Sequence, residues 1–315
     1  MTVVIAGCAL LLTASYSALA QQFPSKPVRF ILGPSSEVLP RIVAQRLSLM
    51  WGQQVLVDPR TGGGGIIAAD IVAKAAPDGY TWLLSTATYT VSASLLANPP
   101  YDLVRDFLPV SLLASAPFYM LVHPSLPVKS VKELVALARA QPGQLNYSSS
   151  GNGTPPHMAA EMFKSMARVN LVHVAYKNSA ASVIDHIAGQ VQVSFQYGPV
   201  SLPHVKSGKL RALAVTSTGR SRYASELPTM IESGITGYEV TGWNGIHVPL
   251  RTPTDIIGRL NTDLRQALQA SEVQERLSAA GLDIHGSSRA DFENFVNKDR
   301  ARWAKVVKDA GITPE

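Results

Sequence analysis

A chain of 315 residues with 46% hydrophobic side chains is sized for about two packed domains, which excludes a disordered protein or a small disulfide-held module. Its 28 lysines and arginines outnumber 22 acidic residues, for a net charge of +6 and a pI near 9.4, so its surface favours small anions over cations. No lysine/arginine run and no aromatic–basic interleaving marks a stacking platform, and nucleic acid is not expected as a partner.

Residues 1–20 carry no charged side chain; Val3 to Ser15 is an apolar run, and Ala18-Leu19-Ala20 is a small-x-small cleavage site before Gln21. This predicts a secretory signal peptide over 1–20, although its start lacks the usual lysine or arginine. The run is short for a membrane span, which needs about 20 apolar residues. Ile5-Ala6-Gly7-Cys8 resembles a lipoprotein box, but most of the hydrophobic run follows Cys8 instead of preceding it. Cys8 is the only cysteine, so the mature chain is expected to hold no disulfide, thiol nucleophile or thiolate metal site.

After the signal, strand and helix alternate. The pattern predicts a strand over 28–32, a helix over 41–50 between Pro40 and Gly52, and a strand over 54–58. A helix over 66–76 and strands over 81–85 and 118–122 follow. Ser130 with Glu133 forms a capping box for a helix over 131–140, stopped by Pro142-Gly143. Leu145 to Ser148 ends a buried strand, and Thr154 is placed to N-cap a helix whose first turn holds Pro155 and Pro156. Strands are predicted over 172–175, 191–195 and 210–216, with helices between them, and helices over 255–270, 273–280 and 290–310. Apolar strands alternating with amphipathic helices imply an α/β fold of mainly parallel sheets flanked by helices. Ligands of such sheets bind outside the carboxyl ends of the strands.

The segment Ser148-Ser149-Ser150-Gly151-Asn152-Gly153-Thr154 joins a strand to a helix through small residues with hydroxyls and backbone N–H groups, the composition of an anion cradle. No Gly-x-Ser-x-Gly elbow or His-Glu-x-x-His helix is present, and the seven histidines show no metal-ligand spacing, so no catalytic set, metal or cofactor is expected. His173, inside a predicted strand, reads as a hydrogen-bonded core histidine. Gly63, Gly65 and Ala68 satisfy the Gly-x-Gly-x-x-Ala dinucleotide form, but the next predicted strand ends at Ser85-Thr86 without the carboxylate that would hold a ribose. These glycines read instead as a tight turn near the domain surface.

Taken together, the chain resembles the Bug-type (TctC-like) substrate-binding receptors of tripartite tricarboxylate transporters. The resemblance is carried by Pro24-Ser25-Lys26-Pro27-Val28-Arg29, Gly62 to Gly65, Ala73-Lys74-Ala75-Ala76-Pro77-Asp78-Gly79-Tyr80-Thr81, Pro99-Pro100-Tyr101-Asp102, Ser149 to Thr154, His173-Val174-Ala175-Tyr176-Lys177, Gly208 to Thr216, Trp243-Asn244-Gly245 and Trp303 to Val307. It implies a two-lobed periplasmic-binding-protein fold (type II-like), with 21–124 plus 241–315 as lobe 1 and 125–240 as lobe 2. It implies an exported, periplasmic and monomeric receptor that closes on a small organic carboxylate. That receptor would deliver its ligand to membrane subunits of a secondary transporter, or to a sensor kinase as some such receptors do. By position the resemblance assigns the ligand Ser149, Ser150, Gly151, Asn152, Gly153, Thr154, His157, Tyr176 and Lys177 on lobe 2. Ser85 and Thr86 face them from lobe 1.

Two departures stand out. The family's first loop reads Pro-Phe-x-Pro-Gly-Gly-Ser-Thr-Asp; here the segment from Leu32 to Arg41 is shorter and lacks the glycine pair, with Ser35, Ser36 and Glu37 matching the end of the motif. Where the family has Phe-Asp-Asn, this chain has Phe195-Gln196-Tyr197, which by the resemblance puts Gln196 and Tyr197 at the ligand and removes a partner for a ligand ammonium group. The expected ligand is therefore a carboxylate without a free amine. The alternatives are an orphan or sensory carboxylate-binding protein and, further off, a nucleotide-dependent α/β enzyme, since a fold alone does not fix function.

Overall fold

A computed structural model describes residues 23–95 and 100–310; the predicted signal peptide, Cys8 and Pro99 lie outside the described residues. The first half of the chain runs β1 (Val28–Leu32), α1 (Val38–Trp51), β2 (Val55–Pro59), α2 (Ile66–Ala73), β3 (Thr81–Thr86), α3 (Ala87–Leu95) and β4 (Phe107–Val122). Then come α4 (Val131–Ala140), β5 (Asn146–Ser149), α5 (Pro155–Ala167), β6 (Val172–Ala175), α6 (Ser179–Ile187), β7 (Val193–Tyr197), α7 (Gly198–Lys206) and β8 (Arg211–Val215). The chain returns through β9 (Thr241–Pro249), α8 (Thr254–Gln269), α9 (Ser271–Ala279), β10 (Asp283–Ile284) and α10 (Arg289–Ala310).

The strands lie in the order β2-β1-β3-β9-β4-β7-β5-β6, with β8 and β10 also pairing with β4. The two flanks are parallel, β1 with β2 and β3, and β5 with β6 and β7. The middle is antiparallel and built on β4, which pairs with β9 over Phe107 to Pro117 and with β7 over Phe118 to Val122. One strand thus serves both halves of the sheet. Each half has its own core: Leu39, Val43, Trp82, Leu260 and Leu264 on one side, and Leu134, Tyr147, Met158, Phe163 and Phe195 on the other. The product is a two-lobed α/β fold. Helix α10 ties the two together, with Phe292 packed beside Trp243 and Trp303 seated in the second core.

Several predicted elements match closely, and the differences have local causes. Helix α1 begins at Val38, so Pro40 lies within its first turn, where a missing N–H costs nothing. Gly52 closes it in the left-handed region (φ 63°) and donates its N–H to Ser48 O. Ser130 Oγ accepts the Glu133 N–H at 3.2 Å, as the capping box requires. Strand β9 is absent from the pattern reading because Gly242 and Gly245 interrupt its apolar run. A Cβ on Gly245 would overlap the Phe292 ring, and one on Gly242 would stand 2.5 Å from the Tyr197 ring. These glycines are where aromatic side chains press on a central strand.

Candidate functional site

Five helices point their N-termini at one place between the lobes. Ser35 and Ser36, just before α1, meet Thr86, Ala87 and Thr88 at the start of α3. Pro155 and Pro156 open α5 there, Ser179 opens α6, and Tyr197 precedes α7. They enclose an inner compartment of about 50 Å³ whose floor is Phe118, Gly242, Trp243 and Asn244 from β4 and β9. Seven hydroxyl side chains line it: Ser35, Ser36, Thr86, Thr88, Ser150, Ser179 and Tyr197. Converging helix N-termini make the potential positive, and hydroxyls can turn their protons toward an anion. Asn244 Nδ2 donates to Tyr197 Oη at 2.8 Å, which leaves the tyrosine O–H to donate in turn. Burial holds that phenol protonated, its pKa pushed far above the ordinary value.

An outer compartment of about 460 Å³ adjoins the inner one, and Pro34 and Ser150 line both. Its walls are Gly62, Gly63 and Gly64 with Ser92 and Leu95 on one lobe, and Gly151, Asn152, Gly153, His157, Tyr176 and Lys177 on the other. The glycine-rich loop therefore lines the cleft, which corrects its reading as a tight turn near the domain surface. Gly64 (φ 58°) has the Asn152 carbonyl 3.2 Å from where its Cβ would stand, so a side chain there would meet the opposite lobe. Gly33 lies equally close to Gly65: a Cβ on Gly33 would be 3.1 Å from Gly65 Cα. The shortened first loop thus packs against the glycine-rich loop. Tyr176 donates to Asp185 Oδ2 at 2.8 Å, and burial together with that carboxylate pushes its phenol to about 12. Lys177 is exposed at the rim and has no ion-pair partner among the described residues. Neither lining includes an aspartate or glutamate.

The loop before α5 is less bare than its composition implies. Gly151 N–H donates to Ser149 Oγ (3.1 Å), Gly153 N–H to His157 Nδ1 (3.1 Å) and Thr154 N–H to Gly151 O (3.3 Å). Pro155 and Pro156 have no N–H to give. Thr154 sits at the N-cap position, but its hydroxyl donates to Gly151 O at 2.6 Å and makes no cap bond. The expectation of several free backbone donors is thereby corrected: most close the loop on itself. The Ser150 hydroxyl has no hydrogen-bond partner among the described residues and is open to both compartments.

Most of the residues singled out by position come together here. Five do not line either compartment. Ser85 is fully buried, donating to Gly245 O (3.1 Å) and meeting His247 Nδ1 at 2.7 Å. Gln196 donates to Ser182 Oγ at 2.9 Å inside the lobe, and Ser149 and Thr154 hold the loop from behind. Glu37 reaches back to pair with Arg41 on α1 and is absent from both linings. His173 meets Ser149 Oγ at 2.7 Å, the hydrogen-bonded histidine its strand position implied, though on a half-buried edge strand. Residues the position argument passed over are Pro34, Gly62 to Gly64, Thr88, Ser179 and Asn244. Asn244 was legible in principle, because Trp243-Asn244-Gly245 is one of the stretches that carry the resemblance.

A geometry of this kind, an acid-free cleft at helix N-termini between two lobes, suits a receptor for an anion. The profile of the tripartite tricarboxylate transporter family receptor (TctC) matches residues 39–312. The chain belongs to that family. Protein BugT of Bordetella pertussis is 33% identical over 298 residues, covering 93% of this receptor and 91% of BugT. The structure of R. palustris Rpa4515 with adipate is 36% identical with a TM-score of 0.89, covering 93% of this chain and all (100%) of that one. MatC (Rpa3494) from Rhodopseudomonas palustris with bound malate is 25% identical with a TM-score of 0.87, covering 90% of this receptor and 100% of MatC. The fold is accordingly the two-lobed periplasmic-binding-protein fold, and the receptor's family and structural neighbours are binding proteins.

Proposed function

We propose that this receptor is exported to the periplasm, closes on a small organic carboxylate that has no free amine, and delivers it to the membrane subunits of a tripartite transporter. The lobes would be 21–124 with 241–315, and 125–240, hinged where the chain passes between the halves of the sheet, along β4 and just before β9. The observation that carries the reading is the inner compartment: seven hydroxyls at five helix N-termini, without a carboxylate to repel the ligand or to pair with an ammonium. Hydrogen bonds to a charged acceptor are the stronger kind, and here Ser150, Ser35, Ser36, Thr86 and Tyr197 supply them. The second polar end of a dicarboxylate would lie in the outer compartment toward Lys177. The adipate and malate of the two neighbouring structures set the size class to try first. No helix among the described residues is long and apolar enough to cross a membrane, which suits a receptor that meets its partner subunits at the surface.

A thermal-shift screen tests this directly, with di- and tricarboxylates, aromatic acids, amino acids and nicotinamide nucleotides. A ligand at about 100 times its dissociation constant stabilises the native state by about 2.7 kcal/mol, a shift of several degrees in a chain of this size. A shift confined to amine-free carboxylates is the expected result. A shift with nucleotides alone would replace the receptor reading with the enzyme one, and silence across the panel would favour an orphan protein.

A further inference from the structure

Two histidines stand behind the loop that faces the cleft, and their rings are stacked. His157, in the first turn of α5, lies 4.3 Å from His173 of β6 with an interplanar angle of 18°. His173 in turn lies 4.8 Å from the ring of Tyr147 on β5, at 13°. The far end of the stack is anchored, because Tyr147 Oη donates to Glu161 (2.5 Å), and Lys164 pairs with the same carboxylate at 2.6 Å. Each imidazole reaches one glycine of the loop. His157 Nδ1 accepts the Gly153 N–H at 3.1 Å. His173 Nε2 lies 2.7 Å from Ser149 Oγ, and that oxygen accepts the Gly151 N–H at 3.1 Å.

The proton position on His157 follows from its donor. A backbone N–H can only donate, so His157 Nδ1 carries no proton and the ring is the Nε2–H tautomer. Ser149 Oγ has one proton and two neighbours that could take it, His173 Nε2 at 2.7 Å and Gly151 O at 3.2 Å. Either direction makes the Ser149–His173 bond: the ring accepts the hydroxyl proton, or its Nε2–H donates to Ser149 Oγ while the hydroxyl donates to Gly151 O. Gly151 and Gly153 both sit at positive φ (122° and 71°), so local backbone preference does little to fix the loop and side-chain bonds must do so.

We propose that this stacked pair shapes the ligand-facing loop: His157 holds Gly153 directly, and His173, acting through Ser149, holds Gly151. His173 is then a positioning residue for ligand binding, although it lines neither compartment. The inference rests on the carboxylate-receptor reading above for its effect on affinity, but not for the geometry itself.

The test therefore has a ligand-free arm and a binding arm. Imidazole nitrogen spectra of the receptor at pH 7 without ligand should find His157 Nδ1 unprotonated and His173 Nε2 hydrogen-bonded. A proton on His157 Nδ1 would overturn the proposal whether or not any carboxylate binds. His173→Phe keeps a ring in the stack and removes the hydrogen-bonding nitrogen, whereas His173→Gln restores an amide near the Nε2 position that can bond Ser149 Oγ in either direction. In His173→Phe the Gly151 amide signal should move and the dissociation constant for adipate or malate should rise about tenfold, with His173→Gln returning to within about threefold of wild type. Wild-type affinity and an unmoved Gly151 amide in His173→Phe would overturn the proposal. If His173→Phe fails to fold, the spectra of the wild type and the His173→Gln protein decide the matter. If the wild type binds neither acid, the functional reading falls while the spectra and the Gly151 amide still judge the loop.

Discussion

Gly64→Ala, read beside Gly52→Ala, separates the cost of a backbone conformation from the cost of a contact across the cleft. Both glycines are left-handed, with φ and ψ of 58° and 30° at Gly64 and 63° and 16° at Gly52. An alanine in that region loses about 1 kcal/mol relative to glycine, which in a chain of this size lowers Tm by about 2–4 °C. That loss should be nearly equal in the two variants. Their surroundings differ: nothing lies within 4 Å of the Cβ position at Gly52, whereas the Asn152 carbonyl is 3.2 Å from that of Gly64. The opposing loop would have to retreat by a few tenths of an ångström, and only when the lobes are together. Gly64→Ala should therefore also weaken carboxylate binding, by about three- to tenfold for a penalty of about 1 kcal/mol in the closed state. Gly52→Ala should bind as wild type does. Melting curves and calorimetric titrations on the same samples suffice. Equal affinities in both variants would refute the claim that the glycine-rich loop and the Asn152 loop meet around the ligand.

Three further outcomes follow from the site. Ser150→Ala removes a hydroxyl with no hydrogen-bond partner among the described residues, so Tm should hold while carboxylate affinity falls about tenfold or more; a loss of stability without loss of affinity would count against its role. Lys177→Met should weaken binding several-fold in low salt and flatten its salt dependence, because the ammonium is exposed at the rim; calorimetry at two ionic strengths reads this. Burial depresses His186 to about 4 and His247 to about 3, below the ordinary value of 6.5. The native state then binds fewer protons than the unfolded chain, so the stability held by these neutral rings is complete above about pH 6.5 and is lost as pH falls toward 4. The slope reaches about 1.4 kcal/mol per pH unit for each ring, and a melting temperature unchanged from pH 7 to pH 4.5 would contradict it.

Much of the fold was legible because alternating buried strands and amphipathic helices leave a strong pattern, as at β1, α4 and β3. Strand β9 escaped because glycines that accommodate Phe292 and Tyr197 break the apolar run, and the neighbours responsible are distant in sequence. The site was legible to the level of loops but not of side chains. Three pairs at strand ends make the point: Ser85 with Thr86, Ser149 with Ser150, and Gln196 with Tyr197. In each pair the second member lines the cleft and the first turns inward to a protein partner. Strand alternation requires such a split, since adjacent side chains face opposite ways. What alternation could not reveal is how the loop before α5 uses its own donors. That depends on His157 and His173, brought together where the first turn of α5 reaches the edge strand β6.

The central claim, that the cleft holds an amine-free carboxylate through hydroxyls, is tested most directly by calorimetric titration with matched pairs: succinate against aspartate, glutarate against glutamate, and adipate against 2-aminoadipate. Each pair differs by one ammonium group, for which the cleft lining has no carboxylate partner. The account predicts that the amine-free member of a pair binds at least tenfold more tightly, the cost of burying an unpaired ammonium. Equal or tighter binding of the amino acid would contradict it.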